Sequence, residues 1–200
     1  MSLMVKGSEG TTFTPHPEGA YPAVCCDVQD LGWEEHPTYG WKYKLALVFF
    51  CGQYTEEKEV EGVKKRFPMT VRKKFTASLS EKSNLRAFCK SWRGGKDFDA
   101  ETLKNGFDFE KMLGAEALIQ VSHYEFQGST YAGIDSVMML PKGTPGVAFP
   151  NDYKRLKDRD DWKGPAQHPA MSQPDPSEKP FAGGSGADDD GLPFAPVGEF

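Results

Sequence analysis

Between positions 64 and 96 the chain carries Lys64, Lys65, Arg66, Arg72, Lys73, Lys74, Lys82, Arg86, Lys90, Arg93 and Lys96 against the single acid Glu81, a local charge of +10. Charge of one sign at that density is an anion-binding surface, and a phosphate backbone is its natural ligand. Each phosphate neutralised on a single strand should contribute about −0.7 to the log–log dependence of affinity on salt. Aromatic residues interleave with the block: Trp33, Tyr39 and Trp41 in or beside the first loop, Phe67 and Phe75 close to the basic run, Tyr124 and Phe126 further on. A basic groove lined with rings holds single strands without reading them, because every base has a π-face. Trp33 and Tyr39, flanked by Gly, Glu and Pro, are the candidates for stacking. Phe67, Phe88 and Trp92 fall at core periodicity.

The elements that must position these side chains follow from periodicity. Residues 21–31 read as a first strand with Val24, Cys26 and Val28 on one face. In 41–51, Trp41, Tyr43, Leu45, Leu47 and Phe49 alternate with Lys42, Lys44, Ala46 and Val48. An acidic, Gly-containing connection leads to a third strand over 65–76, where Phe67, Met69 and Val71 alternate with Arg66, Thr70, Arg72 and Lys74. Lys73 interrupts its apolar face, which predicts a bulge or strand end. Ser78-x-x-Glu81 has the form of a capping box, and Leu85, Phe88, Cys89 and Trp92 then follow at helical spacing until Gly94-Gly95. On that helix Lys82, Arg86 and Lys90 form a like-charge stripe that repels itself unless an anion offsets it. Short helical pieces are expected at 99–104 and 108–113, then a hairpin of strands 117–126 and 131–140 joined by Gln127-Gly128-Ser129-Thr130.

Strand, strand, strand, helix, strand, strand is the order of the OB-fold, a small five-stranded barrel whose strand 2–3 face and loops bind oligonucleotides. The expected architecture is thus a mainly β chain: an OB-like domain over 1–150 with a helix between strands 3 and 4, a charged linker over 151–164, and a disordered tail over 165–200. That tail is rich in Pro and Gly and has too little apolar surface to offset its ordering entropy. In the barrel, Lys42 and Lys44 of the second strand share an outer surface with Arg66, Arg72 and Lys74 of the third. Lys73, and Lys82, Arg86 and Arg93 of the helix, complete the predicted nucleic-acid contacts.

The average charge conceals all this. With 24 Lys and Arg against 29 Asp and Glu the net charge is −5, because acidic segments flank the basic one. Other chemistries lack their motifs: no P-loop, no nucleophile motif and no His-x-x-Glu-His is present, so no catalytic residue, metal or cofactor is expected. His123 and Asp135 stand on strands without a visible partner in sequence, and His123 reads as a satisfied strand residue. Cys25, Cys26, Cys51 and Cys89 have no zinc spacing and read as reduced core and surface thiols of a cytoplasmic chain. The start has no apolar leader, and the longest apolar run, 45–51, is too short to span a bilayer.

The tail holds the second signal, Asp188-Asp189-Asp190-Gly191-Leu192-Pro193-Phe194. Consecutive carboxylates on a flexible arm lack the fixed geometry of a metal site. A Gly/Pro-rich arm ending in acids and then Pro-Phe resembles the bacterial and phage single-stranded DNA-binding proteins, and the core segment KFTASLSEKSNLRAFCKSWRGG is similar to small phage replication or recombination proteins of that kind. The resemblance implies a non-catalytic protein that coats single-stranded DNA, as a monomer or homo-oligomer. It also implies a tail that recruits replication and recombination proteins and competes for the DNA groove. In the bacterial family Phe ends the chain, whereas residues 195–200 follow Phe194 here. The docking residue is therefore Phe194 or the terminal Phe200. Two other functions fit the same residues: an adaptor that binds a clamp or recombinase through Leu192, Pro193 and Phe194, and an RNA-binding OB module.

Overall fold

A computed structural model of the chain describes residues 14–60 and 63–169. The tail motif Asp188, Asp189, Asp190, Leu192, Pro193 and Phe194, and Phe200, lie outside the described residues. Two long strands, β1 (Gly19–His36) and β2 (Gly40–Tyr54), pair antiparallel from Val24 opposite Phe50 to His36 opposite Gly40. The acidic connection after them is a hairpin, β3 (Lys58–Val60) and β4 (Val63–Lys65). Then come β5 (Pro68–Thr76), α1 (Asn84–Trp92), α2 (Ala100–Asn105), a 3-10 turn at Phe109–Met112, β6 (Glu116–Phe126) and β7 (Ser129–Met138). The long strands form one open antiparallel sheet in the order β5-β2-β1-β6-β7, with α1 between its third and fourth strands in sequence. Its last hairpin turns on Gln127 and Gly128, both at positive φ, the two-residue geometry that follows the strand twist.

One face of the sheet and α1 enclose the main core. Leu47, Phe49, Val71, Phe75, Ile119, Val121 and Ile134 pack with Leu85, Phe88, Cys89 and Trp92, the four helical positions picked out by periodicity. The Phe49 ring lies 5.0 Å from that of Trp92, and the Phe75 ring 4.9 Å from that of Phe88. Two hydrogen bonds fasten the helix to the sheet: Trp92 Nε1 donates to the Glu116 carbonyl at 2.8 Å and Ser91 Oγ to that of Val137 at 2.6 Å. The cap differs from expectation. Ser83 is the N-cap, its Oγ accepting from the Arg86 N–H at 3.1 Å and donating to the Ser78 carbonyl at 2.7 Å, so Ser78 supports the cap rather than being it.

Strand β2 is buried on both faces. Val48 and Phe50 form a second cluster with Val24 and Cys26, covered by Val147 and Tyr153. Val28 leaves that set for the main core, because the register shift between Cys25 and Asp27 places an extra residue on β1 and reverses the parity beyond it. Cys26, expected as one of the core or surface thiols, is fully buried like Cys25, on the opposite face. Residues 151–164, which composition suggests as a linker, lie on the sheet: Tyr153 and Arg155 hydrogen-bond to Asp27. Residues 165–169, assigned by composition to the tail, run beside β1 through a parallel bridge between Gly32 and Ala166.

Lys73 causes no bulge. It pairs in regular register opposite Leu47, points toward the core face, and donates through Nζ to the carbonyls of Ile134 at 2.7 Å and Asp135 at 3.1 Å. The sheet's two edge strands, β5 and β7, are thereby linked through a side chain where they share no backbone ladder.

Candidate nucleic-acid interface

The pairing of β2 with β5 sets Ala46 opposite Lys74, Val48 opposite Arg72 and Lys44 opposite Thr76, so Lys44, Arg72 and Lys74 share one face as their spacing implied. Lys42 continues that face along β2, opposite Glu34 of β1. The same face supplies internal partners. Lys44 is buried and donates to Thr76 Oγ1 at 2.8 Å. Lys74 Nζ lies 2.8 and 2.9 Å from the two oxygens of Glu34. Burial holds the half-buried Arg72 guanidinium below its ordinary range, partly offset by the fields of Tyr124, Tyr153 and Glu34. Lys73 faces the other way and is committed to the β5–β7 link, its Nζ also 5.8 Å from the centre of the Phe88 ring.

On the helix, the anion that offsets the like-charge stripe is in the chain itself. Arg86 grips Asp97 with Nε to Oδ1 at 2.9 Å and Nη2 to Oδ2 at 3.0 Å, and Lys90 Nζ stands 3.8 Å from the same carboxylate. Arg93 reaches the Asp97 carbonyl at 3.3 Å and lies over the Phe98 ring at 4.9 Å. Lys82 precedes the helix and is exposed. The Arg86 hydrogen bonds, helped by the Phe98 N–H, hold the Asp97 carboxyl down at about 2 from an ordinary 3.8. A carboxyl depressed on folding contributes stability that is fully present above its unfolded pKa and is lost as pH falls through the folded one. Asp97→Asn should therefore lower the melting temperature at neutral pH and lose less stability than the wild type between about pH 4 and 2. Thermal melts across that range check it; an unchanged acid slope in the variant contradicts the assignment.

Besides Lys82, Lys90 and Lys96, the exposed part of the basic block is the hairpin that ends in β4 and the residues just after it. Val63, Lys64, Lys65, Arg66 and Phe67 all face solvent. At its base stand two exposed rings, Phe67 at 44% and Tyr54 at 41%. The base is fixed by the Thr55 N–H donating to the Phe67 carbonyl at 2.8 Å and the Phe67 N–H to Thr55 Oγ1 at 3.0 Å. Phe67 is thus not a core residue: the cluster under α1 takes in Val71 and Phe75 but stops short of it, and β5 begins only at Pro68. Arg66 has a partner in Glu57 at 3.3 Å, a surface pair of little energetic weight. Tyr54, Lys64 and Lys65 are the residues that strand-face reasoning passed over. Their signal was the abrupt change from acid to base across 56–66, followed by Pro68.

The other candidate rings sit at the end of the β1–β2 hairpin. Tyr39 is 42% exposed, with its ring 4.8 Å from that of His36. Trp33 is half-buried rather than open, packed edge-on against Tyr43 at 5.5 Å and His168 at 5.0 Å, and Trp41 lies 5.1 Å from His168. His123, on β6, donates from Nε2 to the His16 carbonyl at 2.8 Å. Burial pushes the thiols of Cys25, Cys51 and Cys89 up to about 12, which keeps them neutral and unreactive. Among the described residues no group of three or more His, Cys, Asp or Glu is arranged to hold a metal ion, and no helix is long and apolar enough to cross a membrane. Compared with protein-family models and with curated proteins, the chain finds no match.

Proposed function

We propose that this chain binds single-stranded DNA without reading its sequence, as a non-catalytic protein of replication or recombination. The observation that carries the reading is the exposed hairpin, which carries Lys64, Lys65 and Arg66 and has the solvent-facing rings of Tyr54 and Phe67 at its base. Cations for the backbone next to rings for the bases are the two components that sequence-tolerant single-strand binding requires. The strand order supports it: an open sheet in the order β5-β2-β1-β6-β7, with a helix after its third strand in sequence, is consistent with an OB-fold, and Lys73 reaches from β5 to β7. Lys42, Lys82 and Tyr39 extend the contact surface, while Lys44, Lys73, Lys74, Arg86 and Arg93 mainly hold the scaffold. In this reading the acids 188–190 with Phe194 or Phe200 recruit partner proteins and compete for the same cations.

Fluorescence anisotropy with oligo-dT, oligo-U and duplex DNA over a salt series tests the proposal. The expected order places oligo-dT above duplex, with affinity falling at a log–log slope of about −0.7 per phosphate contact. Preference for duplex, or indifference to salt, contradicts it, and preference for oligo-U reassigns the ligand to RNA.

A further inference from the structure

We infer that the cleft between Trp33 and Trp41 is a nucleobase-stacking site that the chain's own His168 occupies, so that residues 165–168 act as a latch over it. The inference rests on the single-strand reading above and deepens it by naming one base-binding subsite and its internal competitor.

Three features mark the latch as built rather than incidental. The Trp33 N–H donates to the Ala166 carbonyl at 2.8 Å and the Ala166 N–H to the Leu31 carbonyl at 3.1 Å, so the segment is aligned on β1 by main-chain bonds. Gly32, at φ 74°, makes room for it: a Cβ there would stand 2.2 Å from the Ala166 oxygen. Two residues on, the imidazole of His168 meets Trp33 at 5.0 Å with an interplanar angle of 82° and Trp41 at 5.1 Å with one of 61°. Both contacts are edge-to-face, and a base that displaces the imidazole can lay its own face against an indole instead.

The cleft is also incompletely served by its present occupant. Trp33 Nε1 is buried and has no hydrogen-bond acceptor. An unpaired buried donor is unfavourable, and only an acceptor arriving in the plane of the indole would satisfy it. The latch is held to β1 by a single bridge pair, so it is short enough to be displaced by a strand. Lys42, next in sequence to Trp41, and the exposed Tyr39 stand at the same end of the hairpin, where a strand would leave the cleft.

The test uses the full-length protein and labelled oligo-dT. His168→Ala removes the competing ring, and Ala166→Pro removes the N–H that bonds Leu31. Each should tighten binding about three- to tenfold by raising the fraction of open cleft. Trp41→Ala should weaken binding about tenfold, and Trp41→Phe, which keeps a stacking ring and guards against a folding defect, should recover most of the affinity. In NMR spectra of the wild type, the His168 ring signals should move out of the indole ring currents as oligo-dT saturates. If the wild type binds, and neither His168→Ala nor Ala166→Pro changes affinity while the His168 signals stay in place, the latch is overturned and single-strand binding stands. If neither the wild type nor His168→Ala binds any single strand, both fall together.

Discussion

Replacing Lys64, Lys65 and Arg66 together by alanine should weaken oligo-dT binding about a hundredfold at 0.1 M salt and make the log–log salt slope shallower by about 2. Every phosphate that is no longer neutralised takes about 0.7 from the slope, and at 0.1 M that is about 0.7 log units of affinity. The three side chains are exposed, and a surface substitution of this kind usually changes stability by no more than about 0.5 kcal/mol, so the effect should appear in binding and not in the melting temperature. The comparison that gives the result meaning is Lys44→Ala. Lys44 is buried and bonded to Thr76, so its removal should lower stability while leaving the salt slope in place. A triple variant with the wild-type slope would remove the hairpin from the interface. The proposed function would then have to rest on Lys42, Lys82 and the outer face of β2 and β5, where most cations already have partners.

The second large effect concerns the segment that covers that outer face. Asp27 is fully buried at 0% exposure, and its oxygens accept from Arg155 Nε at 3.0 Å, the Leu156 N–H at 2.9 Å, the Tyr153 hydroxyl at 3.2 Å and Gln29 Nε2 at 3.2 Å. Arg155 also holds both oxygens of Glu110, at 2.8 and 2.7 Å, and this pair of hydrogen bonds keeps the Glu110 carboxyl below its ordinary range. One carboxylate therefore organises strand β1, the 3-10 turn and the C-terminal segment. Removing a buried partner leaves an uncompensated charge and several orphan donors, so Asp27→Ala should cost about 3–5 kcal/mol. For a chain of this size that lowers the melting temperature by about 10 °C. Limited proteolysis should then cut first within 147–169, because those residues lose their anchor while the main core keeps its own. Cleavage that begins elsewhere, or an unchanged melting temperature, would show that the segment is held by Val147 and Tyr153 packing instead.

How far the sequence could be read depended on the range of the interaction. Helix α1 was legible because its buried side chains recur within nine residues. So were the glycines that end it and the Gln127-Gly128 turn, since each depends on backbone angles local to a few positions. Its true cap was not. Ser78 and Ser83 both suit that role, and Ser83 takes it because its hydroxyl can bond the Ser78 carbonyl and the Arg86 N–H together. Along β1 the alternation failed beyond Cys26, at Val28, because a bulge has no fixed signature in side-chain type. In 67–76 the alternation was sound, yet Phe67 is exposed, because periodicity shows which face a residue takes and not how far the opposing layer extends.

The candidate site divides along the same line. By itself the amino-acid sequence determined that +10 of charge lies within 64–96, that rings accompany it, and that five long strands with a helix after the third must carry both. Tertiary structure alone decided which of those charges remain available to a ligand. Lys74 meets Glu34 from forty residues away, Arg86 meets Asp97 across the end of its helix, and His168 comes to rest between tryptophans more than 120 positions earlier. The reason is physical: an ion pair or a ring contact acts through distance in space, and the distance between residues far apart in sequence is set only when the sheet and its covering segments have packed.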